Sequence, residues 1–179
     1  MSFLRTFYPD EIFEGAYVID YEEIFAQGIR GIIYDIDNTL VEHGYPADAR
    51  AIELIEKLKA IGFKITLLSN NKEARVKMFN EPLNVEYIYK AGKPKKGGYR
   101  KAMEIMGTTE ESTVFIGDQL FTDVWGAKRC GIRNILVRPI DPHEEIQIVI
   151  KRRLEAIVLY FYKREQKLIA MKETEKSKK

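Results

Sequence analysis

Four short segments of this chain carry residue types suited to phosphoryl chemistry: Asp35-Ile36-Asp37-Asn38-Thr39, Ser69-Asn70-Asn71, Lys93-Pro94, and Gly117-Asp118 followed by Asp123. A carboxylate can attack phosphorus to form an acyl phosphate, which splits one hard displacement into two easier ones. Asp35 is placed for that attack. Asp37, two residues on, is spaced to protonate the leaving oxygen and then to deprotonate the water that hydrolyses the intermediate. A dense anion held beside carboxylates needs cations and backbone donors. Lys93 supplies a point charge, and Ser69 with the amides after it can bond phosphoryl oxygens if a helix starts near Asn71. Asn70 and Thr39 complete the phosphate-binding set, with Asn71 and Gly117 in support. Mg²⁺ takes oxygen ligands, keeps waters and bridges to phosphate, so Asp35, Asp118 and the Asp37 carbonyl form its expected ligand set. Asp123 then orients a metal-bound water or Lys93.

Each segment alone has a plain structural reading. Asp-X-Asp-X-Thr also suits a turn or a helix cap, Ser-Asn is a common cap, and a Lys-Pro pair is ordinarily a solvated loop. Their order changes the reading, because each of the four follows a predicted strand. Open parallel sheets bind ligands beyond the carboxyl ends of their strands.

The elements that must position these residues follow from periodicity. Gly31-Ile32-Ile33-Tyr34 is an apolar run ending in carboxylates, as a buried strand does. Further strands are predicted at residues 63–68, 87–89, 113–116 and 134–137. Helices are predicted at residues 47–60, 74–79, 99–106 and 124–130, with Gly62, Gly107 and Gly131 as stops. The alternation implies parallel strands with crossover helices, a three-layer α/β sandwich on a five-stranded sheet. In the first thirty residues Pro9-Asp10 reads as a helix start and residues 17–20 as an extended piece. From Glu144 to about Lys172 one long helix is expected, with a charged tail to Lys179.

Bulk composition narrows the class. The 179 residues are 45% hydrophobic, enough for one core, and 29 Lys and Arg against 27 Asp and Glu leave a net charge of +2. That balance offers no electrostatic case for a nucleic-acid partner. The single Cys130 fits a reducing cytoplasm and a packed thiol. The two histidines are His43 and His143, and His43 reads as a substrate-loop residue rather than a metal ligand. No stretch approaches the ~20 apolar residues that span a bilayer, and no signal-peptide core opens the chain. The expected location is cytoplasmic, with peripheral contact at the inner face of the membrane.

The four signatures together resemble the haloacid dehalogenase (HAD) superfamily over about residues 28–140. That resemblance implies Asp35 as nucleophile, Asp37 as acid/base, Ser69 and Lys93 as phosphate binders and Asp118 as magnesium ligand, and Thr39 favours phosphatases over dehalogenases. Members select substrates with inserted caps, yet one helix and one strand fill the chain between Asp37 and Ser69, and Ser69 to Lys93 is shorter still. A capless, open site is expected. Phe7-Tyr8-Pro9-Asp10, residues 28–40, Ser69-Asn70-Asn71 and Ala91-Gly92-Lys93-Pro94 are similar to the capless subfamily IIIA, YqeG-type branch, related to mitochondrial and plastid phosphatidylglycerophosphate phosphatases. The branch implies removal of phosphate from phosphatidylglycerophosphate, a phospholipid head group. Val41-Glu42-His43 departs from it, where an apolar or aromatic residue is expected.

The domain reading is residues 1–27 as an extension packing on the core, 28–140 as the phosphatase core and 141–179 as an amphipathic helix and tail. In that helix Ile146, Ile148, Val149, Ile150, Leu154, Ile157, Val158, Tyr160 and Phe161 mingle with Lys151, Arg152, Arg153, Lys163 and Arg164. It suits an anionic membrane, although packing on the core is the commoner use of such a face. Lys95 and Lys96 add positive charge at the site mouth. Two other functions stay open: a phosphatase of soluble sugar or nucleotide phosphates, and a non-catalytic partner-binding domain. Oligomeric state is not legible.

Overall fold

The computed structural model describes residues 3–141 and 146–176, with side chains of residues 146–150, 175 and 176 excepted. His143 and the apolar side chains expected at Ile146, Ile148, Val149 and Ile150 lie outside the described set. The strands are β1 (Glu11–Phe13), β2 (Gly31–Tyr34), β3 (Lys64–Leu68), β4 (Glu86–Ile88), β5 (Thr113–Gly117) and β6 (Arg133–Val137). The helices are α1 (Tyr21–Ala26), α2 (Ala49–Ile61), α3 (Glu73–Asn80), α4 (Lys96–Met106), α5 (Trp125–Arg129) and α6 (Ile146–Lys176), and a π-helical turn, Leu120–Val124, leads into α5.

All pairings are parallel, in the order β1-β6-β5-β2-β3-β4, so the two central strands β5 and β2 carry the site on their carboxyl ends. Strand alternation sorts the core. Ile32 and Tyr34 of β2, Ile65 and Leu67 of β3, and Val114 and Ile116 of β5 join Ala51, Leu54, Ile55 and Leu58 of α2 on one face. Ile33, Leu68 and Phe115 meet Tyr99, Ala102, Met103 and Met106 of α4 and Ala127 of α5 on the other. Cys130 is part of that second cluster, a packed thiol. Covering both faces makes the three-layer sandwich.

The sheet has six strands where the sequence predicts five. β1 was hidden by its length of three half-buried residues and by the helix-like look of Pro9-Asp10. Asp10 instead accepts the backbone and side-chain N–H groups of Asn134 (3.0 and 2.6 Å) and donates its own N–H to Asn134 Oδ1 (3.1 Å), which latches β1 to β6. The extended piece expected at residues 17–20 is also corrected. Ala16–Val18 forms a 3₁₀ turn, and Asp20 caps α1 by accepting the Glu23 N–H.

The predicted helices hold to within a few residues. Asp48 caps α2 by accepting the Ala51 N–H (2.8 Å), and Gly62 ends it at φ 110°, a left-handed conformation that only glycine takes without strain. Among the described residues no further element interrupts the alternation: residues 35–48 join β2 to α2, and residues 69–72 join β3 to α3. Among the described residues neither connection carries an inserted cap.

At ~1.5 Å per residue, α6 runs about 46 Å. Its first half packs through Val158 and Leu159 onto Phe7, Leu120, Val124 and Leu136. Tyr162 stacks edge-on to Tyr8. Leu154, Ile157, Tyr160, Leu168 and Met171 stay exposed. No described helix is long and apolar enough to cross a membrane.

Candidate active site

The chain leaves the sheet at Asp35, whose N–H still bonds the Ile116 carbonyl (3.0 Å), so its backbone is set by the β2–β5 ladder. Lys93 arrives from the loop after β4. Its Nζ lies 2.6 Å from Asp35 Oδ1 and 2.8 Å from Asp123 Oδ1, and all three side chains are buried. Burial pushes the Asp35 carboxyl up to about 6, against the pull of the Lys93 charge. For Lys93 burial works downward, but the Asp123 and Asp35 carboxylates outweigh it and hold the ammonium above its ordinary value.

Asn70 fixes that lysine. Its Nδ2 donates to the Lys93 carbonyl (3.1 Å) and its Oδ1 accepts the Lys93 N–H (2.8 Å). Ser69 is buried and its Oγ accepts the Asn71 N–H (3.1 Å). The helix after this segment, α3, begins at Glu73, two residues later than the Asn71 start considered above.

Asp37 is held by donors from three directions. Gly44 N–H (2.9 Å) and Arg75 Nη2 (2.8 Å) and Nε (3.2 Å) reach Oδ1, and Asn71 Nδ2 reaches Oδ2 (2.8 Å). His43 stands 3.8 Å away on the exposed loop. Sequence reasoning missed Arg75, which sits in the first turns of α3 and converges two guanidinium N–H groups on one oxygen of Asp37. Its one signal was its place just after Ser69-Asn70-Asn71.

Asp118 and Asp123 follow β5. Asp123 is fully buried on the π-helical turn, where its Oδ2 accepts the Gln119 N–H (3.0 Å). A Cβ at Gly117 would fall 2.5 Å from that oxygen, so the strand end must be glycine for Asp123 to pass beneath it. Asp118 receives the Thr39 hydroxyl at Oδ1 (3.3 Å) and the Arg152 guanidinium at Oδ2. Burial, then Asp35 and Asp123, lift its carboxyl well above the usual range.

The donor chemistry fits a hard divalent cation. One carboxylate oxygen each from Asp35, Asp118 and Asp123 lies within 4.8 Å of the others, all three acids are buried, and they meet two cations, Lys93 and Arg152. Because Arg152 is shared with Glu155, the two cations leave the carboxylates short of neutrality, and oxygen donors suit Mg²⁺-like ions. Asp123 thus stands beside the two acids expected as ligands. A cavity of about 220 Å³ opens over this floor, lined by Asp35, Asp37, Ser69, Asn70 and Lys93, with His43, Gln119 and Lys151 among the other lining residues. The first three sequence segments line it directly, whereas from the fourth region Gln119 and Thr122 line it and Asp123 is reached through Lys93.

Known proteins show the same arrangement of chain and fold. A HAD-hydrolase-like family model matches residues 90–139. YqeG of Bacillus subtilis (strain 168), a probable phosphatase, is 42% identical over 161 residues, spanning 89% of this chain and 94% of that protein. Phosphatidylglycerophosphate phosphatase 1, chloroplastic/mitochondrial, of Arabidopsis thaliana is 28% identical over 152 residues, 79% of this chain but 44% of that longer protein. In fold, the cobalt-bound deoxy-D-mannose-octulosonate 8-phosphate phosphatase (YrbI) of Haemophilus influenzae superposes with a TM-score of 0.52 at 18% identity, covering 63% of this chain and 80% of that one. Family model and relatives agree on a hydrolase of the HAD class. The chain belongs to the HAD superfamily, and within it to the YqeG-type phosphatases.

Proposed function

We propose that the chain hydrolyses phosphatidylglycerophosphate to phosphatidylglycerol through an aspartyl-phosphate on Asp35, with Mg²⁺ as cofactor. The observation that carries the chemistry is Asp35 itself, buried at a strand end, 2.6 Å from Lys93 and grouped with Asp118 and Asp123. In the first half-reaction an Asp35 oxygen bonds phosphorus and the bond from phosphorus to the glycerol oxygen breaks. Asp37 gives that oxygen its proton. In the second, Asp37 takes a proton from water, the water oxygen bonds phosphorus, and the bond from phosphorus to the Asp35 oxygen breaks to release inorganic phosphate and restore the carboxylate. Lys93 and Ser69 hold the transferring group, while Thr39 and Asn70 act through Asp118 and Lys93. Mg²⁺, held by Asp35 and Asp118 with the Asp37 carbonyl, would neutralise phosphoryl charge and align the displacement.

The lipid substrate is supported by likeness to the Arabidopsis phosphatase and by the uncapped cleft, whose 220 Å³ accommodates a head-group phosphate and leaves the rest outside. On this reading residues 28–140 form the catalytic unit at the inner face of the membrane, residues 1–27 pack on it, and the exposed apolar and basic side chains of α6 meet anionic lipid. The test is a side-by-side panel with Mg²⁺ containing phosphatidylglycerophosphate in mixed micelles and soluble sugar and nucleotide monoesters. Selective release from the lipid is expected. Efficient cleavage of soluble esters with none from the lipid would replace the substrate and keep the chemistry.

A further inference from the structure

Two α6 side chains reach the segment after β5: Arg152 touches Asp118, thirty-four residues earlier in the chain, and Glu155 touches the turn that follows it. Arg152 Nη1 donates to the Asp118 carbonyl (2.6 Å) and Nη2 meets Asp118 Oδ2. The same Nη1 bonds Glu155 Oε2 (3.1 Å), and Glu155 Oε1 accepts the N–H groups of Leu120 (2.7 Å) and Phe121 (3.4 Å), the first two residues of the π-helical turn. Glu155 is 4% exposed. One turn along, Val158 packs on Leu120 and Val124.

A buried Arg–Glu pair is a weak source of stability, because desolvation consumes most of its Coulomb gain and apolar residues of similar volume often do better. Its geometry here serves something narrower. Arg152 grips both the carbonyl and the carboxylate of Asp118, and Glu155 holds the turn that carries Asp123. Thr39 takes the other Asp118 oxygen, so both carboxylate oxygens are oriented by side chains from distant segments.

We propose that Arg152 and Glu155 are positioning residues of the cation site, holding Asp118 and the following turn in ligating geometry. The inference rests on the reading that this site binds a divalent cation. A lone arginine here would compete with that cation. Glu155 cancels the guanidinium charge, so the pair orients Asp118 while adding no net positive charge beside it. Partners of this kind, one bond removed from the metal, change affinity by ~10–100-fold when removed.

The test is Mn²⁺ titration of the full-length protein, followed by the loss of the free-ion electron paramagnetic resonance signal, which needs no turnover. Arg152→Ala is expected to weaken Mn²⁺ binding by ~10–100-fold, and Arg152→Lys, which keeps the charge but loses the fork, should fall between it and wild type. Glu155→Gln should also weaken binding. Val158→Ala loosens the same helix contact without touching the polar bridge and should leave affinity within about twofold of wild type, a change under ~0.4 kcal/mol. Unchanged or tighter binding in Arg152→Ala overturns the proposal, the second outcome marking Arg152 as a competitor. Equal weakening by Val158→Ala also overturns it, since helix docking alone would then account for the effect. Should Arg152→Ala fail to fold, Arg152→Lys and Glu155→Gln decide by the same criteria. Wild-type protein that binds no Mn²⁺ would instead remove the cation reading itself.

Discussion

On the cleft floor Asp35, Asp118 and Asp123 are 6%, 2% and 0% exposed, and each is bridged to a group from another segment of the chain. Along α6 the pattern inverts: Leu154, Ile157 and Leu168 are 52%, 53% and 51% exposed, while the buried Glu155 and its neighbour Arg152 are polar. The floor hides charge and α6 displays oil. Buried charge is tolerated only where partners and function require it, and an apolar stripe is left in water only where something covers it or little is lost by it. The contrast separates a region whose charged residues are buried against partners from one whose outer face leaves apolar side chains exposed.

The largest effect should come from the floor. Asp35→Asn removes the attacking oxygen and is expected to lower phosphate release by a factor on the order of 10⁴ or more, with no trappable acyl phosphate. Activity surviving near wild type would break the assignment of Asp35.

The same substitution should act on stability in the opposite sense. Because burial raises the Asp35 carboxyl from 3.8 to about 6, the folded state favours its protonated form. The stability this gives is fully present below pH 3.8 and is lost as pH rises through about 6. Above that pH the wild type bears a charge that asparagine does not, and Lys93 keeps Asp123 as its partner. In EDTA, Asp35→Asn should therefore be the more stable protein at pH 7.5, by up to about 3 kcal/mol at ~1.36 kcal/mol per pH unit. The gap should close toward pH 4. Urea melts at both values check this, and a less stable variant at pH 7.5 would show that the ion pair with Lys93 outweighs burial.

Arg75→Ala comes next. It leaves the Asp37 carboxylate without its fork and should reduce kcat by about 10–100-fold, toward the lower end of acid–base contributions. Arg75→Lys should recover part of that. The smallest effect belongs to the outer face of α6: Ile157→Ser and Leu168→Ser should each shift unfolding by under ~0.5 kcal/mol, whereas Val158→Ala on the inner face should cost about 1–3 kcal/mol. Co-sedimentation with phosphatidylglycerol vesicles then sharpens the comparison. Loss of binding in the outer-face variants supports lipid contact, and equal binding assigns that face another role.

Much of this site was legible in sequence because its parts are local. Asp35 and Asp37 follow an apolar tetrapeptide that must be a buried strand, and Ser69, Lys93, Asp118 and Asp123 sit after their own strands or in the loop beyond. Strand period and helix stops therefore sufficed to place them on one edge. β1 escaped because three half-buried residues carry too little pattern, and its anchor, Asp10 on Asn134, joins residues 124 positions apart. Arg75 escaped because an arginine in a helix is ordinarily solvent-facing, and nothing in its neighbours distinguishes it.

The sequence by itself determined the order of strands and helices from β2 onward, the absence of room for an inserted cap, and which short segments meet at the ends of the strands. These depend on contacts within a few residues and on periodicities of two and 3.6. Tertiary structure alone decided which donors each carboxylate meets: Arg75 on Asp37, Asn70 on the Lys93 backbone, Asp123 beneath Gly117, and Arg152 with Glu155 on the Asp118 turn. Those pairings join segments far apart in the chain, and their energies arise only when burial removes the water that would otherwise have served each group.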